Sequence, residues 1–177
     1  MKLGRFAART IVGGLFIGHG TQKLFGWFGG GGMEGTTAGF ESIGLRPGRR
    51  TAAAAGLSEA VGGALLAAGL FVPLAAASLI GTMITAIRTV HWKNGVWVTN
   101  GGFEYNLVLI AALVTLVDEG AGPLSLDHLR GHDEHGIGWA LAVLAAGAAG
   151  SAAVVALARR LPETPAAAQA EPLAAAA

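Results

Sequence analysis

RFAARTIVGGLFIGHGTQKLFGWF, residues 5–28, decides how the rest of the chain is read. It is apolar over the ~20 residues that a helix needs to cross a hydrocarbon layer. Near its end, His19, Gln22 and Lys23 stand three and four residues apart. On an α-helix that spacing puts all three on one face. A membrane-spanning helix with one polar face needs a reason for it, and the reason has to come from the other segments of the chain.

Of 177 residues, 53% are hydrophobic and 13% charged, which is about half the charged share of a typical soluble domain. That is the composition of a membrane protein. Apolar stretches at 5–26, 51–70, 72–90 and 137–158 are each close to spanning length, and FEYNLVLIAALVTLVDEG at 103–120 is apolar across its middle. The expected class is therefore all-α, a polytopic membrane helix bundle. A net charge of +1 without a basic block gives no electrostatic footprint for nucleic acid. Cysteine is absent, which excludes disulfides, thiol exchange, cysteine nucleophiles and cysteine-ligated iron–sulfur clusters on this chain. Any redox role must then use a bound cofactor or another subunit.

The first residues have the basic-then-apolar shape of a signal peptide. No small-x-small cleavage site follows cleanly, so they are expected to remain as the first helix. The tail LPETPAAAQAEPLAAAA is expected to be disordered. The chain thus divides into a membrane bundle over 1–128, a polar loop and fifth span over 129–160, and a tail over 161–177.

Small residues four apart, at Gly14 and Gly18, Ser58 and Gly62, and Gly147 and Ser151, are candidates for close helix contact. After Phe28 a glycine run breaks the first helix. Thr36 or Thr37 is expected to cap a short interfacial helix with Phe40 and Ile43 on its apolar side, ended by Gly44 and Pro47. GLFVP at 69–73 makes a tight turn, so the second and third spans are antiparallel neighbours. Trp92 and Trp97 in the next loop belong at the headgroup level.

Alternating direction allows depth to be assigned. With the N-terminus on side A, Glu59 and His19 both fall about 10 to 12 Å inside side B at 1.5 Å per residue. Lys23 is one turn nearer side B, Arg88 is near the side-B end of the third span, and Glu104 and Asn106 open the fourth. Ionisable groups within a span normally face the interior and pair. Glu59 with Lys23 or His19, and Glu104 with Arg88, are the expected pairs. His19, Gln22, Lys23, Glu59, Arg88, Glu104 and Asn106 form the candidate ligand-binding set. Lys23 and Arg88 are also long enough to snorkel to the interface. His91 is assigned to the membrane surface. His128, His132 and His135, with Asp127, Asp133 and Glu134, read as a solvated acidic loop rather than a metal site.

The chain also resembles the DoxX family of small bacterial membrane proteins, from residue 5 to about 128. The resemblance lies in GHGTQKLFGWFGGGGMEGTTAGFESIGLRPG, SEAVGGALLAAGLFVPLAA, HWKNGVWVTNGGFEYNLVLIAAL and GPLSLD, in that order. It implies a four-helix bundle in the bacterial inner membrane, to which 137–158 adds a fifth helix. It also implies a link to thiosulfate:quinone oxidoreductase and to thiol and oxidative-stress complexes, with soluble oxidoreductase or sulfurtransferase subunits as partners. It carries no established catalytic residue.

Three functions fit this reading. In the first, the chain is a membrane subunit of a redox system that binds a quinone on side B. Lys23, His19 and Arg88 would donate to the quinone carbonyls and Glu59 would move protons. In the second, it is a non-catalytic scaffold that anchors soluble enzymes, with a homo-oligomer as a further option. The third is a small-solute carrier, against which the lack of an internal repeat weighs. A bis-histidine haem is disfavoured because only His19 is deep. On orientation, Lys23, Arg46, Arg49, Arg50, Arg88, Lys93, Arg159 and Arg160 on side B outnumber Lys2, Arg5, Arg9 and Arg130 on side A. The basic N-terminus argues the other way, so orientation stays open at this level.

Overall fold

The computed structural model describes residues 2–132 and 134–160, with the side chain of Lys2 outside the description. The expected disordered tail and Asp133 also lie outside the described residues. The described chain is helical, in the order α1 (Lys2–Phe25), α2 (Gly32–Ser42), α3 (Gly48–Ala68), α4 (Val72–Ala86), α5 (Glu104–Glu119), α6 (Leu126–Leu129) and α7 (Ile137–Arg160). One π-helical turn, Ile87–His91, and a 3-10 turn, Trp92–Asn94, prolong α4. It is a polytopic membrane helix bundle.

Among the described residues, three helices are long and apolar enough to cross a membrane: Gly48–Ala68, Val72–Asn94 and Ile137–Arg160. The two other expected spans differ from these. α1 has 24 residues, but its apolar run is diluted by Arg5, Arg9, His19, Gln22 and Lys23. α5 has 16 residues, about 24 Å at 1.5 Å per residue. Both pack within the same bundle.

Close backbone contact, rather than large side chains, joins α1 to α3. A methyl group on Gly13 would lie 2.5 Å from the Gly63 carbonyl oxygen, and one on Gly20 would lie 2.6 Å from that of Gly56. The contacts recur every seven residues on both helices. That period keeps one seam facing its partner along two antiparallel helices. The expected Gly14 and Gly18 pair is not the contact, since both positions face open space. Gly147 and Ser151 do meet α4. Gly147 packs on Ile80 and Gly81, and Thr85 Oγ1 donates to Ser151 Oγ at 3.0 Å. Phe16, Leu66, Leu79, Ile80, Leu113 and Val117 fill the core between these helices.

α2 begins inside the glycine run, at Gly32, rather than at the expected Thr36 or Thr37 cap. The run is needed because the chain folds back tightly on α1, and a methyl on Gly30 would lie 2.5 Å from the Gln22 carbonyl. As expected, Phe40 and Ile43 turn inward, where they pack with Leu45 against Val155 and Ala158 of α7. α2 and the turn after it thereby cover the side-B end of the bundle.

A candidate intramembrane binding groove

The Lys23–Glu59 pair follows directly from the glycine seam. Lys23 is three residues after Gly20 and Glu59 three after Gly56, so the closest approach of the two helices brings these side chains within reach. Lys23 Nζ lies 2.5 Å from Glu59 Oε2, with the lysine side chain 25% exposed and the glutamate side chain 3%. Thr36 Oγ1 donates to the Lys23 carbonyl at 3.3 Å and ties α2 to the same corner.

This pair forms part of the wall of a groove of about 770 Å³. α4 and the π turn after it form its floor from Leu74 to His91, α3 and α7 flank it, and Phe40, Ile43 and Leu45 close its side-B end. The rim residues Leu74, Val154 and Leu157 are exposed, so the groove opens sideways as well. Apart from Lys23, Glu59 and the basic residues at its side-B end, the lining is apolar or hydroxyl-bearing. Three of the hydroxyls meet in the groove wall: Ser58 Oγ lies 2.7 Å from Ser78 Oγ and 3.0 Å from Thr82 Oγ1. A ligand here would meet apolar walls and one accessible ion pair.

The remaining candidate residues are not gathered at this point. His19 is exposed on α1 and does not line the groove. At about 100° per residue it sits a quarter-turn away from the inward-facing Gly20, while the longer Lys23 reaches in from nearer the seam. Gln22 donates from Nε2 to the Phe28 carbonyl at 3.3 Å and holds the glycine-rich loop. The expected Glu104–Arg88 pair is replaced by two separate contacts, one local and one between helices. Glu104 Oε1 accepts from Val98 N at 2.8 Å, closing the loop before α5, and the exposed Arg88 reaches Ser151 Oγ at 3.4 Å. A carboxylate at a helix start finds backbone donors close by, which explains the first contact. Asn106 is buried between α4 and α5, where Nδ2 lies 3.4 Å from Met83 Sδ. His91, assigned to the membrane surface, is half-buried and lines the side-B end of the groove.

A second polar centre, on side A, was not anticipated. Arg9 is 1% exposed. Its Nε donates to the Ala67 carbonyl at 3.1 Å, Nη2 to that of Leu124 at 2.6 Å, and Nη1 to that of Ala121. It thus joins α1 to the ends of α3 and α5 through one guanidinium. Asp127, read from the sequence as part of a solvated loop, is 4% exposed instead. Its two oxygens accept from Phe71 N at 2.8 Å and Val72 N at 3.0 Å, capping the start of α4. The available signals were an arginine inside an apolar run and Ser125, which caps α6 by accepting from His128 N.

The fold and the groove define a polytopic membrane protein with a sideways-open, largely apolar groove and one ion pair in its wall. The chain belongs to the DoxX family, whose model matches residues 4–92, from α1 to the end of the π turn of α4. Lys23, Glu59 and Arg9 lie within that match, whereas α5, Asp127 and α7 lie beyond it. No curated protein and no solved structure matches the chain.

Proposed function

We propose that this chain is a membrane partner of a redox or oxidative-stress system in the bacterial inner membrane, and that its groove holds a quinone. The observation that carries the reading is the Lys23–Glu59 pair, set in the wall of an otherwise apolar groove large enough for a small ligand. A quinone supplies two-electron, two-proton redox chemistry when bound. Lys23 would donate a hydrogen bond to a ring carbonyl, and Glu59 would accept or return a proton at the ring oxygen. The apolar stretch along α4 suits an isoprenoid tail. With no cysteine in the chain, electrons would come from a partner subunit.

The test is to purify the protein from its native membrane in mild detergent and analyse its extract for isoprenoid quinones by mass spectrometry. Wild type is expected to carry quinone, and a folded Glu59→Gln, Lys23→Met variant to lack it. Wild type without quinone would sink this reading. If soluble oxidoreductases then co-purified with the ligand-free protein, the scaffold role would take its place.

A further inference from the structure

The side-B end of the groove differs in chemistry from its middle. Arg46, Arg50 and His91 line it and come from three segments: the turn before α3, the first turn of α3 and the π turn after α4. Each segment is held in place. Arg46 N donates to the Ala158 carbonyl at 3.3 Å, and Thr51 Oγ1 donates to the Leu45 carbonyl at 3.1 Å. His91 Nδ1 donates to the Gly101 carbonyl at 2.7 Å, which fixes the ring at this end of the groove. Glu41 reaches the start of α3, with Oε1 2.8 Å from where a Gly48 methyl would lie, and offsets part of the positive charge. The first turn of α3 holds Arg49 and Arg50 and no acid, so the positive end of its helix dipole adds to the same field.

An occupant of this end must therefore combine an anionic head with an apolar body. We infer that Arg46 and Arg50, with the His91 ring beside them, seat the phosphate of an anionic phospholipid, whose acyl chain lies in the groove against α4 and α7. Val90, Val154 and Leu157 supply the apolar contact beyond the head. The arginines suit a phosphate because their planar forks pair with its oxygens. The inference goes beyond the quinone reading and does not need it, because Lys23 and Glu59 take no part in holding the head.

The experiment measures thermal unfolding of the full chain in a neutral detergent. Phosphatidylglycerol, phosphatidylcholine or inorganic phosphate is titrated in, and retained lipid is counted after gel filtration. Phosphatidylglycerol is expected to raise Tm and to be retained, while the other two do neither. Arg46→Gln with Arg50→Gln should weaken its binding about fivefold per arginine, the value of one basic residue beside anionic lipid. The control Arg159→Gln with Arg160→Gln should not. Gly150→Leu fills open space in the lining without altering charge and should also reduce retention. Ala146→Leu serves the same purpose if that variant fails to fold. Lys23→Met with Glu59→Gln should keep the lipid, which separates this result from the fate of the quinone reading. An equal response to phosphatidylcholine, or to phosphate alone, would overturn the inference. So would full retention in both groove-filling variants, which would mark simple attraction of the basic surface to anionic lipid.

Discussion

Glu59 lies in a nearly closed corner against the Lys23 ammonium. Removing one member of a buried pair leaves an uncompensated charge, whereas removing both with matched shapes is often close to neutral. Because Lys23 is a quarter exposed, solvent moderates the loss. Glu59→Gln is therefore expected to cost about 1–3 kcal/mol, and the double change with Lys23→Met to recover most of it. Thermal unfolding of the three proteins in detergent checks this, and a Glu59→Gln protein as stable as wild type would refute the pairing. Arg9 has a different role, because its partners are three backbone carbonyls, one at the end of α3 and two in the loop after α5. Arg9→Met is expected to lower stability by about 3 kcal/mol or more, measured in the same way. Arg130 stands over the Phe71 ring at 4.9 Å, and losing that contact should cost about 0.5–1 kcal/mol.

At the scale of helices, the α1–α3 seam is the contact on which the ion pair depends. Gly20→Leu would force a side chain into the α3 backbone, so it is expected to destabilise by about 3 kcal/mol or more and to separate Lys23 from Glu59. Gly14→Leu makes a telling comparison on the same helix. Gly14 faces open space, and leucine favours helix over glycine by up to about 1 kcal/mol. That variant should be as stable as wild type or slightly more so. Unfolding midpoints and gel-filtration profiles of the two variants check this ordering, and equal damage from both would remove the distinction drawn between the two glycines.

For the whole molecule, the structure narrows the question of orientation. Two of the basic residues counted at the sequence level are engaged inside the bundle: Arg9 on side A by carbonyls, and Lys23 on side B by Glu59. Among the described side chains, Arg5 and Arg130 then face Arg46, Arg49, Arg50, Arg88, Lys93, Arg159 and Arg160 on the other side. Basic residues at span ends favour the cytoplasm, so side B and the end of α7 are expected there. A fluorescent-protein fusion at Ala177 should be bright and a phosphatase fusion inactive. The reverse pattern would mean that the basic N-terminus governs insertion.

Composition and apolar run length were enough to establish a helical membrane bundle, because a bilayer imposes both on any chain that crosses it. Span direction and 1.5 Å per residue also placed Lys23 and Glu59 at neighbouring depths, since depth is a one-dimensional quantity. Which residues turn toward one another was decided by rotation about each helix axis, and rotation is set by the packing seam. Periodicity admitted Gly14 and Gly18 as readily as Gly13 and Gly20, and only contact with α3 selected the second pair. That selection turned His19 outward and drew Lys23 in. The Arg9 and Asp127 centre and the groove between α3, α4 and α7 required the tertiary structure for a related reason. Arg9 meets carbonyls more than a hundred residues away, and backbone acceptors leave no mark in the identity of the residues that carry them.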